Sequence, residues 1–137
     1  MINNMNEKIY INKKIEVRKS PMHGWGVFAK ENIICGEILE ECHHILFSTN
    51  PPKNENVLRY TFKWPRENPR HRTLPLGFGC IYNSALKLGE NNADWETDEE
   101  RNIFIFKAVK DIFINEEILT FYFHNAYVDK MKRLENN

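Results

Sequence analysis

The sequence predicts a mainly β protein of one domain, and three observations predict it. Apolar residues come in short runs of strand length, clearest at residues 102–109, where Ile103, Phe104, Ile105 and Phe106 precede a charged stop at Lys107. Turn-forming residues separate such runs at close intervals, with Ser20, Pro21, Gly24, Gly26 and Gly36 in the first third alone. The chain has 137 residues, 42% of them hydrophobic, which is enough for one buried core and too little for two. A multidomain enzyme is excluded.

Taken in order, residues 1–14 read as a polar tail, with order beginning near Tyr10 and the first strand-like residues at Ile11, Ile15 and Val17. Residues 20–47 read as turn, strand, turn, strand: Val27, Phe28 and Ala29 form a short buried run, and β-type residues resume from Ile38 to Phe47. Residues 48–73 hold four of the six prolines and six basic residues against two acidic ones between Lys53 and Arg72, which predicts a loop-rich insert around one strand at 58–64. A compact apolar stretch follows at 74–85. A polar one comes next, with six acidic residues against one basic between Glu90 and Arg101. After the strand at 102–109, the turn Asn115, Glu116, Glu117 separates two further apolar runs. The spacing of Ala126, Met131 and Leu134 predicts a short terminal helix within 125–134.

Charge and cysteine content bound the function. Basic and acidic residues balance at 19 each, so no global field selects nucleic acid or anionic lipid, and charged recognition must be local. Cys35, Cys42 and Cys80 are odd in number and lack C-x-x-C spacing, which argues against a disulfide framework or structural zinc and for a reducing intracellular compartment, cytoplasmic or nuclear. No apolar run reaches the roughly 18 residues that a bilayer span needs, and the first 14 residues lack the apolar region of a signal peptide. His43 and His44 point to opposite faces of an extended strand, so they cannot share one metal ion.

Three motifs can carry chemistry, and each also has a plainer reading. Gly24, Trp25 and Gly26 precede a buried run; glycines there let a ligand approach the backbone, or merely make a tight turn. Asn83 ends the apolar run Gly77 to Tyr82; its amide can donate and accept at once, which suits a ligand bearing an amino group and a carboxylate, or it can turn a corner with its own backbone. Tyr122, in a run of apolar residues, is a catalytic candidate or a half-buried strand tyrosine.

Together and in this order, the segments KSPMHGWGVFA, GEILEE, LPLGFGCIYNSA, NNADW and IFIFKAVKDIFINEEILTFYF resemble the SET domain of protein-lysine methyltransferases, in the minimal form of the small viral SET histone methyltransferases. The resemblance spans residues 15–127, which leaves 1–14 as an N-terminal tail and 128–137 as a C-terminal tail or short helix. It implies a β-clip type of fold: several short strands in small sheets, few short helices, and a C-terminal segment threaded like a pseudoknot, against the usual rule for connections. It also implies transfer of a methyl group from S-adenosyl-L-methionine to a lysine ε-amine. Gly24, Trp25, Gly26, Asn83 and Ser84 would hold the cofactor, Tyr122 would be catalytic, Tyr60 and Tyr127 would wall the substrate channel, and no metal would take part.

The substrate so implied is a basic protein segment such as a histone tail, with the acidic stretch 90–100 as its attractor. Neither nucleic acid nor membrane is implied as a partner; the small viral members dimerise, so a homodimer is. The chain departs from the family pattern where Asn-His-Ser becomes Asn83, Ser84, Ala85 and where Phe123 replaces the glycine after the catalytic tyrosine. Those departures keep an alternative open, a degenerate SET module that binds protein or S-adenosylmethionine without transfer.

Overall fold

A computed structural model describes residues 7–122. Along the chain run β1 (Ile15–Lys19), β2 (Trp25–Ala29), β3 (Ile38–Cys42), β4 (His44–Phe47), α1 (Glu55–Leu58), β5 (Phe62–Trp64), β6 (His71–Pro75), β7 (Asn83–Ser84), β8 (Ala93–Asp98), β9 (Ile103–Ala108) and β10 (Glu117–Thr120). They form three small sheets, ordered β1-β2-β10-β7, β3-β9-β8 and β4-β6-β5. Every pairing is antiparallel except that of β10 with β7, where Leu119 faces Asn83 and Thr120 faces Ser84. Among the described residues no helix is long and apolar enough to cross a membrane.

The alternation in β9 does what its pattern predicts: Phe104 and Phe106 enter the core, where Phe62, Trp64 and Tyr82 meet them. Aromatic pairs fix this packing, with Tyr82 stacked on Phe106 at 4.5 Å and Phe62 edge-on to Phe104 at 5.6 Å. Two regions differ from the sequence expectation. The strand expected at 58–64 is confined to β5 at Phe62–Trp64, because the helix α1 runs to Leu58, its N-terminus capped by the Asn54 side chain accepting from Asn56 N and Val57 N. The polar stretch after residue 86 contains a six-residue strand, β8, along the full length of β9. Basic side chains meet two of its acidic ones and the Glu99 that follows it: Arg66 bonds Asp94 at 2.8 Å, Lys107 bonds Glu96 at 3.1 Å and Arg70 bonds Glu99 at 2.7 Å. Arg66 and Arg70 thereby join the basic and acidic excursions of the sequence through two ion pairs. Residues 10–12, at the end of the expected tail, run beside β3, with Glu41 N bonded to Tyr10 O and Asn12 N to Leu39 O. The terminal helix expected within 125–134 and the threaded C-terminal segment lie outside the described residues.

Two similar segments set the position of β10. Asn32, Ile33, Gly36 and Glu37 correspond in order and spacing to Asp111, Ile112, Asn115 and Glu116, and their hydrogen bonds are reciprocal. Ile33 and Ile112 exchange backbone bonds of 2.7 and 2.8 Å. Asp111 accepts from Cys35 N at 2.8 Å as Asn32 accepts from Ile114 N at 2.9 Å. Gly36 N reaches Ala108 O as Asn115 N reaches Ala29 O. Both turns pass through the left-handed region, at φ 95° for Gly36 and 72° for Asn115, which glycine and asparagine tolerate best. This local two-fold lays β10 against β2 and carries Tyr122 toward β7.

Candidate active site

The start of β2 and the segment before it, β7 and the residues after β10, together with α1, β5 and the residues between them, line one cavity of about 690 Å³. Five of the residues singled out in the sequence line it: Gly24, Trp25, Tyr60, Asn83 and Tyr122. Gly26 and Ser84 stand behind its wall rather than in it, and Tyr127 and Phe123 lie outside the described residues.

One wall is polar and built around Asn83. Its Nδ2 donates to His23 O at 3.0 Å, Trp25 O at 3.3 Å and Glu117 Oε2 at 2.7 Å. All three partners are acceptors, which fixes the amide orientation; among the described residues no side-chain hydrogen bond to Oδ1 accompanies these. Glu117, which sequence reasoning missed, ties the wall together: Ser20 Oγ donates to its Oε1 at 2.7 Å, and Ser20 Oγ in turn accepts from Met22 N at 3.0 Å. The reason for Gly26 follows. A Cβ there would lie 2.1 Å from Glu117 Oε2 and 3.0 Å from Asn83 Nδ2, so the bare backbone admits the carboxylate. Gly24 answers a different need, since its φ of 49° is left-handed while its surroundings are open. Trp25 is 62% exposed, leaving its ring as a free platform beside the polar wall.

The opposite wall is aromatic. Phe62 meets Tyr122 edge-on at 6.1 Å, and Tyr60 lies under the Arg59 guanidinium at 4.9 Å while accepting from it through the hydroxyl at 2.9 Å. The Tyr122 hydroxyl donates to Tyr82 O, and Tyr122 N donates to Ser84 Oγ at 3.2 Å. Burial, with Cys80 adding to it, pushes the Tyr122 phenol well above its ordinary ionisation. The Cys80 thiol, donating to Pro75 O at 3.1 Å, is pushed up to about 12 by burial, so it is no nucleophile near neutral pH. None of residues 90–100 lines this cavity, and Asp94, Glu96 and Glu99 are ion-paired with Arg66, Lys107 and Arg70. Among the described residues no three His, Cys, Asp or Glu side chains converge on a point that could hold a metal.

The family model described as SET domain matches residues 24–123, the segment that builds this cavity. The chain belongs to the SET domain family. It is similar to the Schizosaccharomyces pombe histone-lysine N-methyltransferase specific for H3 lysine-37, 26% identical over 116 residues, which are 82% of this chain and 75% of that protein. Among solved structures, a Plasmodium falciparum protein named as a candidate histone methyltransferase is 31% identical, with a TM-score of 0.68, over 85% of this chain and 99% of that one. The Chaetomium thermophilum Polycomb repressive complex 2 bound to S-adenosylmethionine matches at 22% identity and a TM-score of 0.64, over 90% of this chain and 17% of that one, a likeness of fold. In this SET domain the Ser84 hydroxyl accepts from the backbone N–H of Tyr122.

Proposed function

We propose that this SET domain is a protein-lysine N-methyltransferase that draws its methyl group from S-adenosylmethionine and delivers it to a lysine ε-amine in a basic protein segment, a histone tail first among them. The observation that carries the reading is one cavity in which a polar wall centred on Asn83 meets an aromatic wall ending at Tyr122. Its volume of about 690 Å³ is in the range of small-molecule sites. The polar wall suits the cofactor: Asn83 Oδ1 would accept from its ammonium group, and the exposed ring of Trp25 would take a flat aromatic base. With histone as substrate, the site of action would be nuclear.

When bound, the cofactor supplies an electrophilic methyl group on a positive sulfonium. The chain's own residues prepare the amine. Phe62, Ile81 and the face of Tyr60 strip water from the lysine, which disfavours the ammonium and frees the nitrogen lone pair. The Tyr122 hydroxyl has its proton committed to Tyr82 O, so its oxygen remains to accept an N–H of the amine and aim the lone pair. Because burial raises its ionisation, Tyr122 stays neutral and takes no proton; the lysine loses its proton to water before entry. Orientation then supplies much of the acceleration.

Incubating the chain with methyl-labelled S-adenosylmethionine and core histones tests the reading. The expected result is label on a histone lysine, absent with Tyr122→Phe. A cofactor-induced rise in melting temperature without transfer to any basic protein would favour the non-transferring module instead, and no rise at saturating cofactor would remove both.

A further inference from the structure

The core holds a carboxyl group that the site does not use directly. Glu40 is 1% exposed, and no cationic side chain bonds it among the described residues, whereas its neighbour Glu41 is bonded by Arg101. A register shift between Ile38 and Glu40 in the β3–β9 pairing interrupts the ladder at this point, the kind of irregularity that re-aims a side chain. Burial raises the ionisation of Glu40, and the Cys42 thiol lies against the same carboxyl. A buried carboxyl without a counter-charge is costly unless hydrogen bonds hold it.

Besides the Cys42 thiol, the partners of the Glu40 carboxyl lie in the segment that feeds the cavity. Tyr82 Oη donates to Glu40 Oε1 at 2.8 Å, and Phe78 N donates to Oε2 at 3.2 Å. Gly77 is left-handed at φ 66°, and a Cβ there would stand 2.8 Å from Oε2, so the chain is bare where the carboxyl passes. Residues 77–82 thus wrap around one carboxyl group, and the ring of Tyr82 is clamped from its other side by Phe106 at 4.5 Å. The backbone oxygen of Tyr82 is the acceptor of the Tyr122 hydroxyl. Asn83 is held separately, by Glu117 and by pairing with Leu119.

We infer that Glu40 is a positioning residue: through the Tyr82 hydroxyl it fixes the Tyr82 carbonyl and thereby the direction of the Tyr122 hydroxyl. The inference rests on Tyr122 acting as the catalytic residue. Losing the anchor leaves the Tyr82 ring in its slot but lets its backbone, and the oxygen that orients Tyr122, adopt several positions. Turnover should suffer while cofactor binding, which depends on the independently held Asn83, should not.

The test uses the full chain labelled with ¹³C at tyrosine Cζ, the Tyr122 signal being assigned with Tyr122→Phe. Tyr82→Phe keeps the ring stacking and deletes only the hydroxyl; Glu40→Gln keeps one acceptor. Both should displace or broaden the Tyr122 signal, and the double variant should add little to Tyr82→Phe alone, because the two residues act in series. Methyl transfer should fall about tenfold in kcat for Tyr82→Phe and less for Glu40→Gln, with KM for S-adenosylmethionine changing less than about threefold. A Tyr122 signal unmoved in folded Tyr82→Phe overturns the inference, as does a lowered melting temperature with kcat intact. Should the wild-type chain transfer nothing, the proposed function fails and the Tyr122 signal alone still decides this inference.

Discussion

Gly26→Ala would drive a methyl group into the carboxylate of Glu117. The added Cβ would stand 2.1 Å from Oε2, and ordinary contact begins at 3.4 Å, so the carboxylate would have to retreat by about 1.3 Å. A retreat of that size takes its 2.7 Å bonds with Ser20 Oγ and Asn83 Nδ2 beyond hydrogen-bonding range. Bonds to a charged group contribute roughly 1.5–3 kcal/mol each, and because Glu117 is half-buried water recovers part, leaving a loss of about 2–3 kcal/mol for the pair. In a chain of this size that lowers the melting temperature by roughly 6–15 °C. Calorimetric titration with S-adenosylhomocysteine should also show weakened binding, since Asn83 would no longer be drawn against the carbonyls of His23 and Trp25. The decisive measurement is the same substitution in a Glu117→Ala background, where its cost should shrink to less than about 1 kcal/mol. An equal cost in both backgrounds would refute the reasoning, because the collision with Glu117 would then not be its source.

Tyr122→Phe should slow transfer by about 10²-fold or more while S-adenosylmethionine affinity stays within about threefold, as measured by single-turnover labelling and calorimetry. The pH profile follows from signs. Tyr122 is an acid whose ionisation is raised, so it remains protonated from neutral pH past its ordinary value near 10. The rate should therefore climb tenfold per pH unit as the substrate lysine deprotonates, without a second inflection, and a fall between about pH 8 and 10 would mean that Tyr122 titrates. Iodoacetamide at neutral pH should alkylate exposed Cys35 and leave Cys80 and Cys42 unmodified, since burial raises both of those thiols; peptide mass spectrometry would reveal the opposite order.

The parts of this fold legible in the sequence are those whose cause is local. The alternation of Ile103 to Phe106 announces β9, and the turn at Asn115 announces β10, because each depends on residues within a few positions. Strand β8 was hidden because Asp94, Glu96 and Asp98 read as solvated charge; what makes a strand of them is pairing with β9 and, for two of the charges, Arg66 and Lys107. Helix α1 did carry a readable signal, Asn54 as N-cap with Glu55 in the first turn, but the β-type residues that follow outweighed it. In the site, Gly24, Trp25, Tyr60, Asn83 and Tyr122 could be named because the ordered segments that carry them resemble a known family, not because any one of them stands out by residue type. Glu117 and Glu40 could not, since a glutamate beside a turn or in a strand has no distinguishing pattern until the chain brings Gly26 or Gly77 against it. Distant glycines opposite carboxylates are a tertiary fact.

The same contrast bears on Ser84, where the resemblance implies a departure from the family's Asn-His-Ser. A site whose geometry depended on one side chain at this position would lose its shape with it, whereas the elements around Tyr122 are fixed here by main-chain pairing together with the side chain of Asn92. Leu119 pairs with Asn83, the Asn92 side chain donates to Glu117 O and accepts from Leu119 N, and the reciprocal turns at Gly36 and Asn115 set the approach of β10. Ser84 then needs only a short hydroxyl to hold Tyr122 N, which a serine supplies at 3.2 Å. Backbone pairing tolerates changes of side chain, and side-chain bonds do not. The substitutions to which this site is most exposed are accordingly at Gly26 and Gly77, where a side chain would displace the carboxylates that the backbone is shaped around, rather than at Ser84.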